Sequence, residues 1–138
     1  EMCIRDSNWG GSRIVGVTKD LGQTWEKHPT NRTAQLKEPV CQGSLLAVDG
    51  VPGAGRVVLF SNPNTTSGRS HMTLKASTND AGSWPEDKWL LYDARKGWGY
   101  SCLAPVDKNH VGVLYESQGA LNFLKIPYKD VLNAKNAR

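Results

Sequence analysis

Three polar side chains sit at the edges of apolar runs where they could do chemistry. They are Arg69 in 68-GRSHMTLKAST-78, Tyr100 in 99-GYSCLAPVDKNHVGVLYES-117, and Glu116 near the end of that second stretch. A guanidinium fork pairs two parallel N–H donors with a carboxylate and cannot lose its charge, so Arg69 suits an acidic ligand. A phenol, with its ordinary pKa near 10, is a weak nucleophile that needs a carboxylate beside it as base. Taken singly, each has a plainer reading: a loop arginine at the surface, a strand tyrosine whose hydroxyl reaches water, an exposed strand glutamate. The histidines offer no rival chemistry. His28, His71 and His110 are isolated, and neither a Ser-His-Asp arrangement nor a metal triad can be assembled from them. Cys3, Cys41 and Cys102 lack metal-ligand spacing and are odd in number, which points to buried thiols rather than a zinc site or a disulfide framework. No metal or cofactor is expected.

The elements that must position these groups read as strands. Short runs rich in Val, Ile, Leu and aromatics alternate with Gly, Pro, Asn and Asp: 13-RIVGVTKD-20, 43-GSLLAVDG-50, 55-GRVVLFSNP-63, 70-SHMTLKAST-78, 88-KWLLYDA-94, 100-YSCLAPV-106, 110-HVGVLYES-117 and 120-ALNFLKIP-127. No segment before position 128 holds a helical period over three turns, so the chain reads as all-β.

Between two of these runs lies 18-TKDLGQTW-25, which reads as a self-sufficient hairpin turn. Asp20 can hydrogen-bond amides of its own turn, Gly22 can take a positive φ, and Trp25 can pack back on the hairpin. A near copy, 78-TNDAGSW-84, keeps Thr78, Asp80, Gly82 and Trp84 with one residue fewer before the tryptophan. Recurrence at about the length of one four-stranded unit is the mark of β-propeller blades.

The two hairpins resemble the Asp-box (BNR repeat) of the exo-α-sialidases, or neuraminidases, and the resemblance becomes specific at 40-VCQGSLLAV-48, 68-GRSHMTLKAST-78 and 99-GYSCLAPVDKNHVGVLYES-117. It implies an all-β fold built from the C-terminal two to three blades of a six-bladed β-propeller, occupying residues 8–138. By the same resemblance Tyr100 matches the catalytic nucleophile and Arg69 the last of three arginines that hold the sugar carboxylate. Gln42 falls where relatives line the pocket, and Glu116 where they place an acid that orients the first arginine. Asp20, Gly22, Trp25, Asp80, Gly82 and Trp84 become structural box residues facing away from the ligand. Arg5, inside the leader, lies one residue farther from Asp20 than the family's middle arginine and is either that triad member with one residue inserted or adapter-derived, while Arg13 matches a nearby strand position instead. The first arginine, the Asp general acid and the carboxylate partner of the tyrosine have no counterpart. Glu38 falls after the missing base in order and is expected in a loop.

The implied activity is hydrolysis of terminal sialic acids from glycoproteins, glycolipids and oligosaccharides, retaining and through a tyrosyl intermediate, with the fragment inactive alone. The alternative from another class is a non-catalytic Asp-box propeller that binds glycans or proteins. Composition agrees with either: 138 residues, 38% hydrophobic and 22% charged, give one ordinary globular domain. The net charge of +4 is scattered and densest in 125-KIPYKDVLNAKNAR-138, without the aromatic interleaving of a nucleic-acid site. No run of 18 apolar residues offers a membrane-spanning helix, and no secretory apolar segment opens the chain. Residues 1–7, EMCIRDS, read like the translation of a sequencing-adapter end and are set aside from the fold. An extracellular, periplasmic or lysosomal location follows from the resemblance alone.

Overall fold

The computed structural model describes the backbone of residues 2–5 and both backbone and side chains of residues 11–134. Among the described residues ten strands form three antiparallel sheets: β1 (Met2–Arg5), β2 (Ile14–Val17) and β3 (Glu26–Lys27); β4 (Ser44–Val51), β5 (Gly55–Pro63), β6 (Met72–Ser77) and β7 (Trp89–Asp93); and β8 (Ser101–Asp107), β9 (His110–Ser117) and β10 (Ala120–Pro127). Within each sheet the strands follow chain order, each hairpin joining neighbours. A five-residue helix, α1 (Tyr128–Leu132), follows β10. None of the helices among the described residues is long and apolar enough to cross a membrane.

The central sheet is covered on both faces, and its sequence explains how. In β5 the run Val57-Val58-Leu59-Phe60 is apolar without alternation, the pattern of a strand buried on both sides. Val57 and Leu59, with Met72, Leu74 and Ala76 of β6, pack against Leu103, Val111, Val113, Tyr115 and Ile126 of the last sheet and Val131 of α1. Val58 and Phe60 turn the other way, onto Val15, Leu36 and Trp84, with the Phe60 and Trp84 rings edge to face at 6.0 Å. Strand β9 alternates instead: Val111, Val113 and Tyr115 are buried while Leu114 is 41% exposed, because its second face meets no further sheet.

The backbone of Met2–Arg5 lies antiparallel along the free edge of β2, from Met2 opposite Val17 to Arg5 opposite Ile14. The open edge of β2 supplies the unpaired amides and carbonyls that such a segment can join. The side chain of Arg5 lies outside the described residues, as do residues 6–10. Cys41 is buried, but Cys102 stands on the outward face of β8 and is exposed, so only the first behaves as an interior thiol.

The two hairpin boxes have the same register, which the sequence reading placed one residue too late in the second. In the first, Thr24 donates its N–H (2.9 Å) and hydroxyl (2.6 Å) to Asp20, Gly22 N–H bonds Thr18 Oγ1 at 2.8 Å, and Trp25 Nε1 donates to Gly22 O at 3.1 Å. In the second, Ser77 stands for Thr18, Asn79 for Asp20, Ala81 for Gly22 and Ser83 for Thr24: Ser83 N–H donates to Asn79 Oδ1 and Ala81 N–H to Ser77 Oγ, both at 3.0 Å. The backbone agrees, with φ of 57° and 91° at Leu21 and Gly22 matched by 53° and 62° at Asp80 and Ala81, while Gly82 is not among the positive-φ residues. Asp80 is therefore not the box acceptor; it points outward and pairs with Arg56 at 2.9 Å. An amide oxygen accepts the same two-residue turn bonds as a carboxylate, so the box is full length with Asn in the acid's place.

Candidate functional site

All the residues singled out for chemistry lie at one end of the sheets, and both boxes belong to the opposite ends of their strands. Pro63 at the end of β5 pairs with Met72 at the start of β6, and Met72 pairs with Asp93 at the end of β7, so the 64–71 and 94–100 connections leave from the same rim. Arg69 sits in the first connection and Tyr100 ends the second. Gln42 stands just before β4, whose start faces Ser61 across the β4–β5 pair. Glu116 arrives from β9, its N–H donating to Tyr100 O at 3.0 Å while its own carbonyl accepts Gly99 N–H at 3.3 Å.

The Arg69 guanidinium carbon lies 5.3 Å from the centre of the Tyr100 ring, within the range of a cation–π contact. The guanidinium is held at two points, Nη1 donating to Trp98 O at 3.0 Å and Nη2 to Val40 O at 2.7 Å. Those bonds use two of the five N–H donors of an arginine, leaving the others for an anion. Tyr100 is 47% exposed and Trp98 66%, so ring and indole both face solvent beside that cation. Gln42 turns its side-chain oxygen onto Ser101 N–H at 3.0 Å and its amide onto Gly43 O, which ties it to the residue after Tyr100. The side chain of Glu116 is half-buried.

Below this rim lies a floor of fixed polar groups. Ser101 Oγ meets Ser61 Oγ at 3.0 Å, and Ser61 Oγ meets Tyr92 Oη at 2.8 Å. Burial pushes the Tyr92 hydroxyl above its ordinary pKa, so it stays protonated. The buried Asp93 carboxylate takes a two-pronged bond from Arg95 and a third from Tyr115 Oη at 3.2 Å. The Arg95 fork holds that acid well below the usual carboxylate range.

A second arginine belongs to the same rim. Arg13, 1% exposed, forms a buried ion pair with Glu38, 3% exposed, and donates to Cys41 O at 2.6 Å. Glu38 does lie in a loop, as its position in the sequence suggests, but its other oxygen accepts Cys41 N–H, so it is an interior group. Sequence reasoning missed this pair because the two charges come from different segments. The one available signal was Arg13 adjoining the apolar run IVGV. Among the described residues no three His, Cys, Asp or Glu side chains form a group that could hold a metal ion.

No protein-family model matches the chain. Sequence comparison finds it 46% identical over 133 residues to a sialidase of Bacteroides fragilis, covering 94% of this chain and 24% of that protein. It is 31% identical to a sialidase of Clostridium perfringens, over 91% of this chain and 35% of that protein, and 28% identical to an anhydrosialidase of Macrobdella decora. Among solved structures it is similar to the Hadza microbial sialidase Hz136, with a TM-score of 0.85 and 45% identity over 93% of this chain and 25% of that one. The chain thus spans only about a quarter to a third of the first relatives it matches. Its sheets have the fold of β-propeller blades, as the sequence had implied.

Proposed function

We propose that this chain, a member of the sialidase family over nearly its whole length, is the C-terminal part of an exo-α-sialidase and carries one wall of its sialic-acid pocket. Arg69 binds the sugar carboxylate. Tyr100 is the nucleophile: a neutral phenol is not repelled by the carboxylate attached to the anomeric carbon, as an Asp or Glu would be. A carboxylate elsewhere in the propeller takes the phenol proton as the oxygen bonds to that carbon, the glycosidic oxygen leaves with a proton from an Asp, and water then releases the sugar with retained configuration, the phenol regaining its proton. Gln42 contacts the sugar's side chain, and Glu116 steadies another arginine of the carboxylate site.

The observation that carries this reading is the meeting of Arg69 and Tyr100. Two residues 31 positions apart in sequence, on different connections, present a fixed cation and an exposed phenol 5.3 Å apart at one rim. The acid, the base and the first arginine belong to blades outside this chain. Because general acid–base help is worth about 10² to 10⁴ in rate, the isolated 138 residues are inactive. The test uses the full-length protein with a fluorinated sialoside, which slows release of the covalent intermediate. Mass spectrometry should find the sugar on the peptide bearing Tyr100, and Tyr100→Phe should abolish both the adduct and turnover. A sialoside that binds without ever being cleaved or trapped would leave a glycan-binding propeller instead.

A further inference from the structure

We propose that the buried Arg13–Glu38 ion pair is a positioning device for the pocket, acting through the loop 38–43 that touches Arg69 and both neighbours of Tyr100. This rests on the sialidase reading of the site. The contacts run along one short segment. Glu38 receives the N–H of Cys41 while Arg13 holds the carbonyl of the same residue, so both backbone polar groups of Cys41, and with them the two peptide units that flank it, are bound by the two members of the pair. From that anchored point three successive residues reach the site: Val40 O accepts from Arg69 at 2.7 Å, Cys41 Sγ bonds Gly99 O at 3.2 Å, and Gln42 Oε1 accepts Ser101 N–H at 3.0 Å. The residue before Tyr100 and the residue after it are thus both tied to the loop, and so is the arginine beside its ring.

Two further observations show that the arrangement is tight. Val40 holds a φ of 63°, a conformation that a β-branched residue adopts only when its surroundings impose it. Gly99, at φ 79°, packs so closely that an added Cβ would lie 2.9 Å from Pro63, 3.2 Å from Cys41 Sγ and 3.3 Å from the Arg69 side chain. Shifting the loop therefore shifts Arg69 and the Tyr100 turn together. A charged pair serves here because its bonds to the N–H and carbonyl of one residue are directional, which an apolar pair of equal volume cannot reproduce. Such a replacement often leaves stability unharmed, and that makes the two roles separable.

The test compares wild type, Glu38→Gln and the double variant Arg13→Met/Glu38→Met in the full-length protein. Glu38→Gln leaves Arg13 charged in the interior and should lower the melting temperature. The double variant, which removes the unpaired charge, should melt above Glu38→Gln, yet its kcat/KM for a sialoside, counted per site titrated by the fluorinated inhibitor, should fall by up to about 100-fold, the cost that a misplacement of about 1 Å can carry. Hydrogen exchange gives a readout independent of activity: amides 97–103 should lose protection in the double variant while those of β5 and β9 keep theirs. A double variant with wild-type kcat/KM and wild-type protection at 97–103 overturns the inference. If the wild-type protein neither binds nor cleaves sialosides, the functional reading fails, and exchange at 97–103 in the same pair still decides whether the ion pair positions the rim.

Discussion

At the scale of single residues, geometry rather than charge decides what each position tolerates. Arg69 spends donors on two carbonyls and, in the proposed site, offers its remaining edge to the sugar carboxylate, a task that a planar fork performs and an ammonium does not. Arg69→Lys keeps the charge but loses both the fixed plane and the paired bonds. Steady-state kinetics on a sialoside should then show KM raised about 10- to 100-fold, the loss expected of charge-assisted hydrogen bonds, with the fold intact by circular dichroism. Asp20 answers a different question. Bonds from the Thr24 hydroxyl and amide, with Thr18, bring its pKa down to about 2. A depressed carboxylate stabilises the fold fully above its ordinary value near 4 and loses that contribution as the pH falls through about 2. Asp20→Asn should remove this acid dependence with little harm at neutral pH, because Asn79 already fills the same place in the second box, whereas Asp20→Ala should lower the melting temperature at every pH.

At the scale of elements, a lysine shows how sheet packing bends titration. Lys75 of β6 is fully buried between the first two sheets, donates to Gln35 O at 2.7 Å and lies 4.2 Å from the Trp89 ring. Burial, aided by Lys37 and Arg13, brings its pKa down to about 7. Between that value and the ordinary lysine value near 10.4 the unfolded chain binds more protons than the folded one, so stability should rise with pH across this window. Denaturant titrations of the full-length protein from pH 7 to 10 should show the rise, and Lys75→Met should flatten it. The strands were legible because the turn residues bound them. β5, β9 and β10 match the runs 55–63, 110–117 and 120–127, while β3, only two residues long, carried too little pattern to see. The second box was misread because an acid was sought where an amide does the work. The partnership of Glu38 with Arg13 was out of reach, since nothing along the chain says which distant charge an interior carboxylate will meet.

At the scale of the whole molecule, the covered and uncovered faces differ by a neighbour. Among the described residues the sheet β4 to β7 lies between two others, but the last sheet packs against one. The outward face of β8–β10 carries Cys102, Leu114 and Phe123 in one row of the register, with Leu121 two residues along the same face. Leu121 is 68% exposed and Phe123 60%, and the far edge of β10 pairs with no strand among the described residues. Contiguous apolar surface next to an open strand edge is the combination that drives self-association. On the proposed reading a further blade of the full-length propeller covers this face, which would account for its sequence. The isolated chain should therefore elute as soluble oligomers or aggregate in size-exclusion chromatography with light scattering. Leu121→Lys/Phe123→Lys should shift it toward monomer by placing charge on both the face and its edge, while the same pair of changes in the full-length protein should destabilise it if a further blade covers the two side chains there. A sharply melting wild-type monomer of the isolated chain would show that the exposed face needs no neighbour, and the reading of this segment as part of a larger ring would lose its physical support.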